Sequence, residues 1–224
     1  MTVPGTQTPS TPVVDGVVWD FGNVLIRWDP LPAIAAGVGD ADARAFLESY
    51  DFRSWNHVQD AGRTWAQALA VLEGDAPQWL SAGAAYVDNF PLSLLGPVPG
   101  THEMVRELAA AGFPQLGLTN WSAELYPHAP ATYDVIELLG DVVVSGEVRL
   151  AKPDPAIYHL VAERAGVPLN RLAFIDDSVA NVAAAAALGM HAIQFTGADE
   201  REPEGAGDGR ADDVEGVDPG ELLL

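Results

Sequence analysis

Apolar and polar positions along this chain change their spacing twice, and the changes divide it. Val17-Val18-Trp19 is a short apolar run with strand character that reaches Asp20 and then breaks at Gly22-Asn23, a turn-forming pair. Arg27 to Pro32 is a polar, proline-bearing exit. From Ala33 to about Leu95 the apolar residues recur at three- and four-residue spacing, predicting helices over Ala41–Tyr50, Thr64–Glu73 and Trp79–Asn89, with no convincing strand among them. Pro91, Gly96, Pro97, Pro99 and Gly100 then form a stretch dense in breakers.

Beyond residue 100 strand and helix signals alternate. Thr101 is the expected cap of a helix through Ala111, closed by Gly112. Gln115–Thr119 reads as a strand, Tyr133–Leu139 as a short helix or turn, and Asp141–Ser145 as a Val-rich strand. Pro155–Ala165 reads as a helix, Leu172–Ile175 as a buried strand running into Asp176-Asp177, Ala180–Leu188 as an alanine-rich helix, and His191–Phe195 as a last strand. Such alternation predicts an α/β fold with a doubly wound parallel sheet. The expected organisation is a disordered leader over 1–12, an α/β core over 13–32 and 97–197, a helical insert over 33–96, and an acidic tail over 198–224.

Composition narrows the function. No apolar run is long enough for a membrane span, and the first residues lack a charged-then-apolar signal pattern. There is no cysteine, which excludes disulfides and thiol catalysis and makes a cytoplasmic location the default. The formal net charge of -21 argues against nucleic acid or an anionic membrane as partner. It also opposes any anionic substrate, which would need a local cation. Of the 11 basic residues all but one are arginine; the single lysine is Lys152. A compact ammonium on a long stem differs in use from a guanidinium fork.

In a parallel sheet, Asp20, Thr119-Asn120, Lys152 and Asp176-Asp177 converge on the edge formed by the carboxyl ends of the strands. Singly, each has an ordinary structural explanation: a solvated strand end, a helix cap, or a rigid Lys-Pro-Asp-Pro turn. The adjacent Asp176 and Asp177 repel each other unless a cation or donors hold them, and a hard divalent ion such as Mg²⁺ suits the pair.

Together, Val-Trp-Asp20-Phe-Gly-Asn-Val-Leu, Leu-Thr119-Asn120, Lys152-Pro-Asp-Pro-Ala-Ile-Tyr158 and Phe-Ile-Asp176-Asp177-Ser-Val-Ala-Asn181 resemble the four ordered motifs of the haloacid dehalogenase-like (HAD) hydrolase superfamily. The resemblance spans roughly Val14 to Phe195, including a helical cap after the first motif. Its opening is similar to small Asp-x-Gly-Asn-Val phosphatases such as α-D-glucose-1-phosphate phosphatase.

The resemblance implies a Mg²⁺-dependent phosphatase acting on a small-molecule phosphate ester, a sugar phosphate among the candidates. It implies Asp20 as nucleophile, and Thr119 and Asn120 as holders of the phosphoryl oxygens. Lys152 would neutralise charge on nucleophile and phosphate. Metal ligation would fall to Asp20, the Gly22 carbonyl and Asp177, with Asp176 direct or through water. Gly22 departs from the superfamily's phosphatase pattern, which has a second aspartate there as acid and base. A positioned proton donor is commonly worth ~10²–10⁴-fold, so a cap residue or a water has to supply it.

Candidates for substrate contact in the insert are His57 and Arg63, with Trp55 and Asp60 beside them, and Arg27 and Trp28 at the entrance. His57 or Asp60 is the candidate proton donor. His102, His128, His159 and His191 are scattered, without metal-ligand spacing. Two alternatives stand beside the phosphatase. One is a 2-haloacid dehalogenase, which shares the nucleophile but needs no magnesium. The other is a non-catalytic module that binds phospho-ligands. Oligomeric state is not encoded in any of these patterns.

Overall fold

The computed structural model describes residues 13–197; the expected leader and the expected acidic tail lie outside that range. Five strands form one parallel sheet: β1 (Gly16–Trp19), β4 (Gln115–Thr119), β5 (Asp141–Val144), β6 (Leu172–Asp176) and β7 (His191–Gln194), in the order β5-β4-β1-β6-β7. β1 is central, with Trp19 in register with Gly117 of β4 and Ile175 of β6. Both faces of β1, β4 and β6 are covered, which is why these three read as largely apolar runs rather than as alternation.

The remaining strands, β2 (Ile26–Trp28) and β3 (Leu94–Pro97), pair as an antiparallel ribbon. Between them lie five helices: α1 (Leu31–Val38), α2 (Asp40–Ser49), α3 (Phe52–Asp60), α4 (Trp65–Asp75) and α5 (Leu80–Asp88). Residues 31–88 between the two strands are thus helical, and the ribbon carries the chain into and out of them; residues 94–96, the end of the expected helical insert, belong to β3. α1 and α3 were not separately anticipated, and neither was the ribbon. The third group comprises α6 (Thr101–Ala110), α7 (His128–Thr132), α8 (Ser145–Val148), α9 (Pro155–Ala165) and α10 (Val179–Ala187).

The two sheet faces bury separate cores. Val18, Leu118 and Phe174 pack with Ile157, Tyr158 and Val161 of α9. Val17, Trp19 and Ile175 point the other way, into a core continuous with Val105 of α6 and the aromatic centre of the inserted helices. Adjacent residues of one strand serve opposite faces, as the pleat requires. Within the insert, Phe46, Phe52, Trp55, Trp65 and Tyr86 pack ring against ring at centroid separations near 5–6 Å, the range in which edge-to-face contacts are favourable.

Local chemistry sets the helix starts. Asp51 accepts from Ser54 N to cap α3, Thr64 and Gln67 form a reciprocal capping box on α4, and Asp154 caps α9 ahead of Pro155. Thr101 behaves otherwise than expected. It is the first helical residue of α6 rather than its cap, and its hydroxyl donates to Val98 O at 3.0 Å.

Candidate active site

Every strand of the sheet runs in one direction, so the chain ends of β1, β4 and β6 deliver Asp20, Thr119 and Asp176 to the same edge. The opening turn after β1 is held by Phe21 O, which accepts from the N–H groups of Leu25 and Ile26. It passes through Asn23 at a φ of 57°, a left-handed conformation that asparagine tolerates better than most side chains. Asn23 Oδ1 accepts from Trp28 N at 3.2 Å, which ties the turn to the ribbon.

Lys152 is the electrostatic centre. Its side chain is 1% exposed, and its ammonium reaches Asp20 Oδ1 at 2.7 Å, Asp176 Oδ2 at 2.6 Å and Leu118 O at 3.0 Å. An ammonium has three protons, and all three are accounted for. Burial by itself pulls the Lys152 pKa down, but the two carboxylates outweigh it and the group is held above its ordinary value. The loop that carries it is fixed by Asn120. Lys152 N donates to Asn120 Oδ1 at 2.8 Å, and Asn120 Nδ2 donates back to Lys152 O at 2.9 Å.

Asp20 accepts at Oδ1 from both Lys152 and the Phe21 N–H, the latter at 2.7 Å. Among the described residues nothing donates to its Oδ2, which is the oxygen left to react or ligate. Burial pushes the Asp20 carboxyl up, with the Asp176 charge adding to it and Lys152 pulling back. Asp176 is fully buried and saturated: Oδ1 accepts from Ser178 N and Asn181 Nδ2, and Oδ2 from Lys152 and Asn181. Asp177 is more open, and burial and the neighbouring Asp176 raise its pKa.

Carboxylate oxygens of Asp20, Asp176 and Asp177 lie within 4.8 Å of one another, a donor set that fits a hard divalent cation. Three carboxylates against one ammonium leave a formal charge of −2, which strengthens that fit. A side chain at Gly22 would meet nothing within 4 Å, so the backbone there is open to a ligand.

Beside this cluster is a cavity of about 150 Å³ between the sheet edge and the inserted helices. Gly22, Thr119 and Asn120 line one end, and Asn56 and Asp60 of α3 line it from the insert. Asp60 is 8% exposed, and burial pushes its carboxyl up to about 7 against the opposing pull of Lys152. The structure thus brings Asp60 of the insert to the site.

His57 and Arg63 are not brought there. His57 is exposed on α3, while Arg63 is held within the insert, donating to Gln59 Oε1 at 2.6 Å and Trp55 O at 3.3 Å. Neither lines the cavity, because the helix turns the face carrying Asn56 and Asp60, four residues apart, toward the sheet. Trp55 is buried in the aromatic centre, Trp28 lines the cavity, and Arg27 donates to Leu95 O on the ribbon.

Asn56 and Trp121 are wall residues that the sequence reading passed over. Trp121 directly follows Thr119-Asn120, and its position is set by α8: Trp121 N donates to Ser145 Oγ at 2.9 Å and Gly146 N to Trp121 O at 3.0 Å. Any side chain at Gly146 would meet Ala123 N at 2.5 Å, so glycine is what lets α8 approach so closely.

A family model described as haloacid dehalogenase-like hydrolase matches residues 14–189, most of the chain and every site residue above. The chain belongs to the haloacid dehalogenase-like hydrolase family. A drimenol cyclase of Aspergillus calidoustus is 31% identical over 193 residues, 84% of this chain but 35% of its own length. The (S)-2-haloacid dehalogenase 1 of a Pseudomonas strain is 26% identical over 88 residues, covering 39% of each chain. This HAD-like chain therefore spans well under half the length of both relatives.

Among solved structures, a HAD family enzyme of Bacteroides thetaiotaomicron in complex with magnesium and inorganic phosphate shares the fold. It has a TM-score of 0.66 at 20% identity, over 84% of this chain and 96% of that one. An L-2-haloacid dehalogenase of Xanthobacter autotrophicus with chloropropionic acid covalently bound aligns with a TM-score of 0.54 at 19% identity, over 81% and 77%. Among the described residues of this HAD-like hydrolase, no helix is long and apolar enough to cross a membrane.

Proposed function

We propose that this hydrolase is a Mg²⁺-dependent phosphatase of a small-molecule phosphate ester, working through an aspartyl-phosphate on Asp20. The observation that carries this reading is the acidic cluster of Asp20, Asp176 and Asp177 around a single buried ammonium. A phosphate dianion approaching a site of formal charge −2 is repelled unless a divalent cation is present. Asp20, Asp177 and the Gly22 carbonyl would hold that cation, with Asp176 acting through water because its own oxygens are already engaged. When bound, the ion supplies charge neutralisation for the phosphoryl oxygens.

The chain's residues do the rest. Lys152 fixes Asp20 through Oδ1 and leaves Oδ2 aimed outward. Thr119, at the mouth of the cavity, faces the transferring group, and Asn120 keeps the Lys152 loop in place. Asp60, neutral below about pH 7, gives its proton to the departing oxygen in place of the aspartate missing at position 22. Residues 33–96 serve as a cap that brings Asp60 over the site and excludes water. The absence of cysteine and the formal net charge of -21 are in keeping with a cytoplasmic location, which forms part of this reading.

The test is phosphate release with and without Mg²⁺. EDTA abolishes turnover, and Asp20→Asn has none; turnover retained in that variant rules the mechanism out. The dehalogenase reading is favoured by one observation, the glycine at position 22, and by the haloacid dehalogenase relatives. Metal-independent halide release from 2-chloropropionate would establish it instead.

A further inference from the structure

The phosphoryl chemistry leaves open what the phosphate is attached to, and the cavity walls bear on that. Beyond Thr119 and Asn120 the walls are Trp28, Trp65, Tyr86, Phe90 and Trp121. Five aromatic rings thus face the cavity, and Trp65 Nε1 is already engaged, donating to Ser122 Oγ at 2.9 Å. Phe90 meets Tyr86 and Trp121 edge to face at 5.6 and 5.7 Å. Most of the wall therefore offers carbon alone.

Two wall atoms are the exception. Asn56 Oδ1 and Trp121 Nε1 are the buried side-chain atoms without a partner among the described residues, one an acceptor and the other a donor. Buried polar atoms are nearly always paired, so an orphan acceptor on α3 and an orphan donor just past β4, on two residues that line the same cavity, point to a ligand that pairs them. Asp60 adds only a long contact, from Asn56 Nδ2 at 3.5 Å. Size is also bounded. The cavity is about 150 Å³, and an apolar cavity of roughly that volume is enough to admit benzene.

A polyol fits these walls poorly. Each hydroxyl brought in without a partner lowers affinity by roughly 10-fold or more, and a hexose carries several against two orphan atoms and one carboxyl. We infer that the substrate is a phosphate monoester whose organic part is compact and mainly apolar, about the size of one aromatic ring, with a single polar group meeting Asn56 Oδ1 and Trp121 Nε1. Sugar phosphates are thereby disfavoured. This inference rests on the phosphatase reading for the phosphate but on the cavity alone for the organic part.

The test is a binding comparison in the full-length Asp20→Asn chain with Mg²⁺, read from tryptophan fluorescence, since Trp28, Trp65 and Trp121 all line the cavity. Phenyl phosphate is expected to bind at least ~10-fold more tightly than glucose 1-phosphate, a difference of ~1.4 kcal/mol. Equal or tighter binding of the sugar phosphate overturns the inference. Should that variant not fold, the Asp20→Ala chain with Mg²⁺ gives the same comparison. Phosphate release by the wild-type chain is measured alongside. If neither ester is hydrolysed but the binding preference holds, the phosphatase reading fails and the assignment of the organic part stands. If the sugar ester is hydrolysed and preferred, the reverse is true. In Asn56→Leu, phenyl phosphate binding should tighten while that of hydroxyphenyl phosphates weakens; a shift of both in the same direction overturns the role given to the orphan pair.

Discussion

Asn120 grips the peptide of Lys152 from both sides, accepting from its N–H at 2.8 Å and donating to its carbonyl at 2.9 Å. A side chain that lines the cavity beside Thr119 is also the brace of the loop that carries the site's only ammonium. Asn120→Ala removes both bonds and leaves a partly buried peptide group unpaired, at a cost of ~1–3 kcal/mol. Urea unfolding should show that loss in the midpoint, with the slope unchanged. Turnover should fall as well, because Lys152 no longer holds Asp20 Oδ1 in one place.

Replacing Lys152 by methionine keeps much of the volume and removes the charge. Asp20 and Asp176 then face each other, buried, with no cation between them. Breaking a buried ion pair by removing one partner costs ~3–5 kcal/mol, since the stranded charge stays in low dielectric. The Lys152→Met chain should therefore unfold far more easily at pH 8 than the parent. Much of the difference should vanish at pH 5, where the Asp20 carboxyl, pushed up to about 7 by burial, takes up a proton. Asp176→Asn in the same background should restore part of the loss at pH 8; no rescue would mean that carboxylate repulsion is not the cause.

The same residues show what could be read from the sequence and what could not. β1, β4 and β6 are visible because strands buried on both faces read as largely apolar runs, β5 because it is Val-rich, and β7 through its place in the alternation of strands with helices. The ribbon of β2 and β3 was not, since three or four residues interrupted by Gly96 and ended by Pro97 carry no periodic signal. α1 was hidden by Pro30, Pro32 and Gly37, and α3 by the polar run Arg53, Ser54, Asn56 and His57. In the site, Asp20, Thr119, Lys152 and Asp176-Asp177 were legible because each ends a strand or follows a breaker. Which face of α3 meets the cavity was not, because that depends on how the inserted helices pack against the sheet. His57 and Asp60 were equivalent candidates in the sequence, and only packing separates them.

Magnesium is the next consequence to test. If Asp20, Asp177 and the Gly22 carbonyl hold the ion, binding it stabilises the folded chain by mass action: ~2.7 kcal/mol at a hundredfold excess over Kd. A thermal melt with and without Mg²⁺ should show the rise. Asp177→Asn should raise the Mg²⁺ concentration needed for half of that rise, whereas Asp60→Asn should not. An equal shift in both variants would mean the ion binds elsewhere.

Asp60 makes a separate prediction about pH, and its sign follows from linkage. In the unfolded chain its carboxyl has an ordinary pKa of 3.8; in the fold burial pushes it up to about 7. The folded state therefore holds the proton over a range in which the unfolded state has released it. Stability from this group is complete below pH ~4, is lost as pH rises toward 7, and changes no further above that. Three units at ~1.4 kcal/mol each set a ceiling of ~4 kcal/mol, and water entering through the cavity mouth will reduce it. Asp60→Asn cannot ionise, so its unfolding free energy should gain steadily on the parent between pH 4 and 7. A constant difference across that range, measured by urea titration, would mean that Asp60 titrates normally and is not held neutral to act as the acid.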